Sequence, residues 1–452
     1  MSFYTAPSTL YTTDPRSDTT VSAHDVTPMP TRFAVSVVIP ALNEEKNIGP
    51  LVERLWATMK DLRLSAEIIV VDGGSEDATW QAAENRGAKC LLQRRLGYAG
   101  ALREGFAAAQ GEYVLTLDSD LSHPPELLKE LWEKREQADI LIASRFVEGG
   151  RSDAPITRHL LSKILNSVFS ICLSLPIKDL SSGYRLYKRG SLNLGAYRPE
   201  NFNILQEVLV RSYSDGYSIK EIPLHYEERA HGSSHVSFVK FALSYLPTLY
   251  RLWKLRNSVT TADYEYRAYS SRHPLQRYWI RKRLNLIKNL LGESHRVLDI
   301  GSGSNYMAAS TTGLVAVDSE AKKVRFLTHK GATALQAEAS QLPFADESFD
   351  QVILSQVLPY VDDLNASLKE AHRVLVKGGR AVICVPDSRR MTWRIIGALY
   401  NLLPNVRTSD IKPRHRFSRS KLVERMANSG FRALKYRYVC GAELVISFQK
   451  VD

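Results

Sequence analysis

Three acidic clusters each follow an apolar run: Asn43-Glu44-Glu45, Asp72 with Asp77, and Asp118-Ser119-Asp120. Carboxylates that converge in one crevice bind a hard cation. A Mg-type ion keeps one or two of them and takes its other oxygens from phosphates and water. In D-x-D, alternate side chains share one side of an extended segment. One carboxylate can then face the ion while the other meets a ribose. A different set stands in the C-terminal half, where Asp299-Ile-Gly301-Ser-Gly303 follows an apolar pair and Asp318 comes nineteen residues after Asp299. Glycines let the backbone approach a ligand closely. An acid at the end of the next strand is placed to bind two ribose hydroxyls. D-x-D and G-x-G are weak signals singly; the ordered sets around them are not.

These residues need elements to hold them. Val35–Ile39 is a β-branched run stopped by Pro40, and Ile68–Val71 and Tyr113–Leu117 are further strands. Between the first two, apolar residues at Ile48, Leu51, Val52, Leu55, Trp56, Met59 and Leu62 have helical spacing. Strand, helix, strand repeats predict an α/β parallel sheet, whose ligand sits beyond the carboxyl ends of the strands. A second α/β run starts near Arg296, with strands ending at Asp299 and Asp318 and others over Phe349–Leu354 and Arg380–Val385. Thr260–His273, between the runs, is polar and poor in aliphatics. The expected organisation is a disordered Ser/Thr/Pro-rich tail over 1–32, domains over 33–258 and 275–452, and a linker over 259–274.

A length of 452 residues fits two or three domains. A hydrophobic share of 44% and a charged share of 24% exclude a mostly disordered, collagenous or coiled-coil chain. Four scattered cysteines with no C-x-x-C argue against a disulfide scaffold or zinc ribbon and suit a reducing compartment. The net charge of +12 concentrates in two patches. Ten Lys/Arg lie between Arg251 and Lys288, and nine between Arg389 and Lys421. Such patches imply an anionic partner, and their alternative is a solvated surface. No nucleic-acid motif accompanies them, so the expected partner is an anionic membrane surface and no nucleic acid. No secretory signal is visible. The longest uncharged apolar stretch, Ile164–Ile177, has 14 residues, short of the roughly 18 that a bilayer span needs. Residues 159–175 and 238–256 suit interfacial helices, the second with Tyr245, Tyr250, Trp253 and a basic end. Core packing is the alternative for both. Pro247 is expected to break or kink the second.

The stretches SVVIPALNEEKNI, IIVVDGGSEDAT, GYAGALREGFAAAQGEYVLTLDSDLSHPPELL, ADILIASRF, DLSSGYRLYKR and RAHGSSH run from about residue 35 to 236. Together they resemble family 2 glycosyltransferases of the dolichol-phosphate mannose synthase type. The resemblance implies a GT-A fold, an α/β nucleotide-binding sheet with a mixed-sheet acceptor side. It implies that Pro40, Leu42 and Glu44 line the nucleotide, that Val70 and Asp72 meet base and ribose, and that Asp118 and Ser119 contact the sugar nucleotide. Asp120 would hold Mg or Mn, and Arg145 and Arg229 would grip the diphosphate. Asp179, Ser182, Arg185, Gln206 and Glu207 would lie near the acceptor. Three positions depart from the family pattern: Gly73 replaces a second aspartate, Ser122 a glutamine that is often a metal ligand, and His235 a lysine. The implied reaction is a single inverting displacement from a nucleotide-sugar donor onto a polyprenyl phosphate, whose oxyanion needs no strong base. A sugar hydroxyl would need one, with Asp179 or Glu207 as the candidate. An ion pair supporting the fold is the alternative role of each.

In the second half, Asp299-Ile-Gly-Ser-Gly303, Asp318, LPFADESFD over 342–350, the strand to Ser355 and HRVLVKGG over 372–379 resemble class I S-adenosylmethionine-dependent methyltransferases. This covers about residues 275–452 and implies a Rossmann-like domain. Asp299, Gly301 and Gly303 would surround the methionine end of the cofactor, with Asp318 on its ribose and Glu338 and Ala339 near adenine. Ser355 and Gln356 would border the methyl centre. Here too there are departures: Asn305 is the third glycine's substitute, and Pro359-Tyr360 replaces a common Glu-His. His415 is a candidate base or a surface histidine. Trp393, Tyr400 and Phe417 line an acceptor pocket or the core. The combined expectation is a bifunctional transferase, peripheral on the cytoplasmic face of a membrane, that glycosylates a lipid phosphate and methylates a related glycan or lipid. Its rival is a glycosyltransferase acting on a glycan hydroxyl, with the second half as a non-catalytic binding module.

Overall fold

A computed structural model describes residues 32–95, 97–193, 203–227, 238–292, 296–311, 313–402 and 412–451. The expected tail over 1–32 lies outside the described residues except for Arg32. Nine strands belong to the first half: β1 Phe33–Ala41, β2 Ala66–Asp72, β3 Lys89–Leu92, β4 Gly111–Thr116, β5 Ile140–Ser144, β6 Arg151–Ser152, β7 Arg185–Lys188, β8 Ile219–Pro223 and β9 His225–Tyr226. Seven of them form one sheet in the order β3-β2-β1-β4-β7-β5-β8. β1 to β4 are parallel, whereas β7 runs antiparallel between β4 and β5. This is the GT-A arrangement, a parallel half continued by a mixed half. Alternation along β1 explains its double burial. Val35, Val37 and Ile39 enter one core cluster while Val38 enters the other. Fully burying each such side chain contributes about 1.5–3 kcal/mol. Ala41 pairs with Asp72, so the carboxyl ends of β1 and β2 meet at one edge.

The second half holds β10 Val297–Ile300, β11 Leu314–Asp318, β12 Thr333–Gln336, β13 Phe349–Ser355, β14 Leu375–Pro386, β15 Phe431–Val439 and β16 Glu443–Lys450. Their order is β12-β11-β10-β13-β14-β16-β15, parallel except for β16, which runs antiparallel to both its neighbours. The sheet is Rossmann-like.

The segment expected as a linker is built into the structure. Residues Tyr264–Tyr269 form a helix, and Thr261, Ala262, Asp263 and Ala268 are buried. Polar composition misleads there because burial is achieved by an ion pair and aromatic rings rather than by aliphatics. Arg256 grips Asp263 through both carboxylate oxygens at 2.8 and 2.7 Å, inside the protein. Tyr269 stacks on Tyr306 at 3.9 Å, and Tyr266 meets the edge of Phe326.

The helix Phe238–Arg256 continues through Pro247, so of the expected break or kink the break does not occur. Thr248, Leu252 and Arg256 share one buried face, and this packing holds the turns after the proline. The helix Ala321–His329 docks on the first domain. Arg325 lies over the Tyr217 ring at 4.0 Å, and His329 Nε2 lies 2.9 Å from Asp139 Oδ2. Between them Gly216 has φ +84°, and a Cβ there would fall 2.3 Å from the Lys322 carbonyl oxygen, so the contact requires glycine.

Candidate active sites

The strand ends of the first sheet bring two of its acidic clusters together, with Glu45 N donating to Asp77 Oδ2 at 3.2 Å, and the third follows β4, the other neighbour of β1. Asp72 closes β2 and folds the chain back: its Oδ1 accepts from Gly74 N, Ser75 N and Ser75 Oγ at 2.7–3.0 Å. Leu42 is exposed beside it, while Pro40 is buried. Glu44 accepts from Asn47 Nδ2 at 2.6 Å. Val70 is different. It is fully buried in the core cluster of β1 and β2, so its side chain packs instead of facing a base.

After β4 the chain makes a tight loop. Asp118 Oδ1 accepts from Tyr98 Oη at 3.0 Å, Ser119 is nearly buried, and Leu121 adopts φ +61°, a strained value for a branched side chain. Ser122 is fully buried, and its N–H and hydroxyl both donate to Asp120 Oδ1. It therefore orients Asp120 rather than presenting itself as an independent metal ligand. Gly183 fits this arrangement because a Cβ would stand 2.9 Å from both Asp118 Oδ1 and Tyr98 Oη. His123 was not singled out from sequence. It is buried, its Nδ1 accepts from Asp118 N at 3.3 Å, and its ring packs against Tyr184 and Tyr226. Burial holds it below the ordinary imidazole value against the pull of Asp118 and Asp120.

Among the described residues no three His, Cys, Asp or Glu side chains are grouped to cage a metal. The donor set that is present, Asp118 with a carboxylate about one-third exposed and Asp120 steered by Ser122, suits an ion that keeps one or two carboxylates and completes its shell with diphosphate oxygens and water.

Arg145 and Asp179 face each other. Nε and Nη2 of Arg145 donate to Asp179 Oδ2 and Oδ1, and Nη2 also reaches Ser181 Oγ at 2.8 Å. Nη1 takes no part in these bonds. Burial alone would raise the Asp179 carboxyl, but the Arg145 charge and hydrogen bonds outweigh it and hold it below its ordinary value. Glu207, also fully buried, accepts from Arg211 Nε at 2.8 Å and Arg251 Nη2 at 2.7 Å. Both expected bases thus sit in the ion-pair alternative, each carboxylate held by arginine donors inside the protein. Arg185 does not reach an acceptor either. It is fully buried and donates to the carbonyls of Ser182, Leu205 and Leu180. Ser182 Oγ and Gln206 Oε1 are buried without hydrogen-bond partners. Arg229 and His235 lie outside the described residues.

In the second sheet, β10 ends on Asp299, fully buried, and Gly301 and Gly303 follow with φ +63° and +58°. A Cβ on Gly301 would meet Val357 at 2.4 Å. Gly303 N donates to Asp318 Oδ2 at 2.7 Å, so the glycine turn and the end of β11 are tied together. Asn305 proves to be a cap. Its Oδ1 accepts from Met307 N at 3.0 Å at the start of the helix Tyr306–Ser310, and its Nδ2 reaches Asp299 Oδ2 at 3.2 Å. Asp299 Oδ1 is left buried with no partner. Burial pushes this carboxyl up to about 7, with Asn305 opposing and Asp318 adding to the shift. An orphaned carboxylate oxygen beside a glycine turn fits a cationic ligand such as the sulfonium and ammonium of S-adenosylmethionine.

Farther along this edge, Glu338 is exposed and Ala339 half-buried against the core. Ser355 ends β13, and Gln356, at φ +64°, donates its N–H to the Cys384 carbonyl. His415 Nε2 lies 3.0 Å from the Val361 carbonyl, and Pro359 O accepts from Arg414 N and His415 N, so the basic segment crosses the departure at Pro359-Tyr360. Phe417 is core, Trp393 is half-buried, and the Tyr400 side chain lies outside the described set.

Comparison with known proteins follows this division. Residues 36–195 match the model of glycosyl transferase family 2, and residues 298–383 match a methyltransferase domain model. A dolichol-phosphate mannosyltransferase of Pyrococcus furiosus is 34% identical over 235 residues, which is 50% of this chain and 65% of that protein. An undecaprenyl-phosphate 4-deoxy-4-formamido-L-arabinose transferase of Pseudomonas fluorescens is 31% identical over 210 residues, 45% of this chain and 60% of that one. The chain thus spans somewhat under two thirds of the length of these relatives. A solved SAM-dependent methyltransferase from Thermotoga maritima, described as a possible histamine N-methyltransferase, is 26% identical with a TM-score of 0.32, covering 39% of this chain and 94% of that one. The chain joins a family 2 glycosyl transferase domain to a methyltransferase domain.

Proposed function

We propose that the first domain transfers a sugar from a nucleotide sugar to a polyprenyl phosphate, and that the second methylates a related glycan or lipid with S-adenosylmethionine. The observation that carries the acceptor assignment is the state of the two base candidates. Asp179 and Glu207 are both fully buried in arginine ion pairs. A hydroxyl acceptor needs a base within reach. A phosphate monoester is already an anion, so its oxygen attacks the anomeric carbon as the bond to the nucleoside diphosphate breaks, with no proton to move. The names of the two polyprenyl-phosphate relatives support the same acceptor.

Negative charge then grows on the departing diphosphate. Asp118 and Asp120 are the residues to hold Mg or Mn there, and a bound ion supplies charge neutralisation. Arg145, locked by Asp179, offers Nη1 to a phosphate oxygen, and the family resemblance assigns Arg229 and His235 to the same diphosphate. Asp72 meets the donor's ribose. In the second domain Asp318 takes ribose hydroxyls, and Asp299 faces the positive end of the methyl donor.

The acceptor's tail calls for an apolar surface. Ile156, Leu160, Leu161, Ile164, Val168 and Ile171 project into solvent from the helix Ile156–Leu173, and Leu246 and Tyr250 do so from the neighbouring Phe238–Arg256. With Lys254 and Arg251 beside them, these helices suit the boundary of an anionic leaflet on the cytoplasmic side. Among the described residues no helix is long and apolar enough to cross a membrane; the exposed apolar faces of these two helices are what support a peripheral contact. Radiolabelled sugar from a nucleotide-sugar panel, offered with a short polyprenyl phosphate and either ion, tests the transfer. Label in the lipid phase supports it, and label found only on an added glycan overturns the acceptor.

A further inference from the structure

We propose that Glu265, on the helix joining the two domains, binds the amino-acid ammonium of the methyl donor, so that the donor site extends beyond the methyltransferase sheet into the connector. The proposal rests on the reading that the second domain binds S-adenosylmethionine.

Glu265 is held against the glycine turn. Ser304 N, Ser304 Oγ and Lys323 Nζ all donate to its Oε2, at 3.1, 2.5 and 2.8 Å, and its own N–H donates to Ser304 Oγ. Lys323 is buried and also donates to the carbonyls of Val259 and Thr261, which fixes the rotamer of the pair. Oε1 accepts none of these bonds. It lies 3.1 Å from the position a Cβ on Gly303 would take, so the carboxylate stands directly over the side-chain face of that glycine. A ligand whose amino-acid end packs on that glycine meets this carboxylate, and Oε1 is the oxygen that the Ser304 and Lys323 bonds do not use.

An independent observation concerns the far side of the turn, where Asp299 is fully buried with Oδ1 unpartnered. With Asp318 tied to Gly303 N, three carboxylates surround the turn, and among the described residues Lys323 is the cation hydrogen-bonded to them. The surplus negative charge is complementary to a ligand carrying both a sulfonium and an ammonium. A buried structural ion pair alone would not leave an acceptor oxygen aimed at the turn.

The test uses the full chain and two ligands. S-adenosylhomocysteine carries the amino-acid end, and 5′-methylthioadenosine lacks it. Each is titrated calorimetrically into wild type, Glu265→Gln, and Glu265→Gln combined with Lys323→Met, which leaves no unpaired buried ammonium. The expected result is a loss of about tenfold or more for S-adenosylhomocysteine in both variants, the size of one charge-assisted hydrogen bond, with methylthioadenosine unchanged. Equal losses for both ligands, or none for either, overturn the assignment. Wild type that binds neither ligand overturns the cofactor reading itself, and Glu265 with it.

Discussion

Arg145 holds Asp179 by two parallel hydrogen bonds, Nε to Oδ2 at 2.8 Å and Nη2 to Oδ1 at 2.9 Å, with Asp179 fully buried. This fork makes Asp179 the group that aims Arg145, and it separates an acceptor that needs a base from one that does not.

Asp179→Asn removes the counter-charge of Arg145, whose side chain is only 16% exposed and keeps the Ser181 hydroxyl as a hydrogen-bond partner, a change that costs up to about 3–5 kcal/mol. Thermal or denaturant unfolding reads this directly. The folded Asp179 carboxyl lies below its ordinary value. Its contribution is therefore full above the unfolded value of about 3.9 and is lost as pH falls through the folded one. The gap between wild type and variant is expected to close only in acid. In the transfer assay the variant keeps the wild-type shape of its pH profile. Loss of the acid limb would return Asp179 to the role of base.

Gly183→Ala places a methyl 2.9 Å from Asp118 Oδ1 and Tyr98 Oη. The Tyr98–Asp118 bond must break, and nucleotide-sugar affinity should fall by about tenfold, one hydrogen bond to a charged group. Donor titration by calorimetry measures it. Unchanged affinity would place the donor elsewhere.

Asp299 gives the methyl-donor site a pH dependence. Its carboxyl is pushed up to about 7 in the folded chain, so ionising it costs stability as pH rises from about 4 towards 7 in the ligand-free protein. A cationic ligand favours the ionised form. Affinity for S-adenosylmethionine should therefore rise between pH 6 and pH 8 in wild type and stay flat in Asp299→Asn, as read by titration at several pH values. A flat wild-type profile contradicts the placement of the cation beside Asp299.

Leu160→Glu with Ile164→Glu alters two side chains that are 53% and 52% exposed. Stability should stay within about 0.5 kcal/mol per site. Co-sedimentation with anionic vesicles should drop severalfold. Full retention on vesicles would assign that helix face another partner.

Much of this was legible in the chain. Asp72, Asp118, Asp120, Asp299 and Asp318 lie at or just after the ends of apolar runs, and a parallel sheet gathers strand ends at one edge whatever the loops do. What escaped depends on pairs distant in sequence. Glu265 meets Ser304 across 39 residues, and Arg256 and Asp263 bury each other in a stretch whose polarity suggested a linker. His123 gave no signal beyond its place after D-x-D, because its role is to accept a backbone N–H inside the loop. Val70 and Arg185 were drawn towards the site by family position, but each side chain points into the protein. Asn305 looked like a lost glycine and is a helix cap.

The most direct measurement of the central claim is sugar transfer to a short polyprenyl phosphate by wild type and Asp120→Ala, with Mg or Mn present and no glycan added. The account predicts labelled lipid from wild type and at least a hundredfold less from the variant, in line with removal of a group that stabilises leaving-group charge. Donor binding with no labelled lipid from wild type, and label recovered on a hydroxyl-bearing glycan instead, would contradict it.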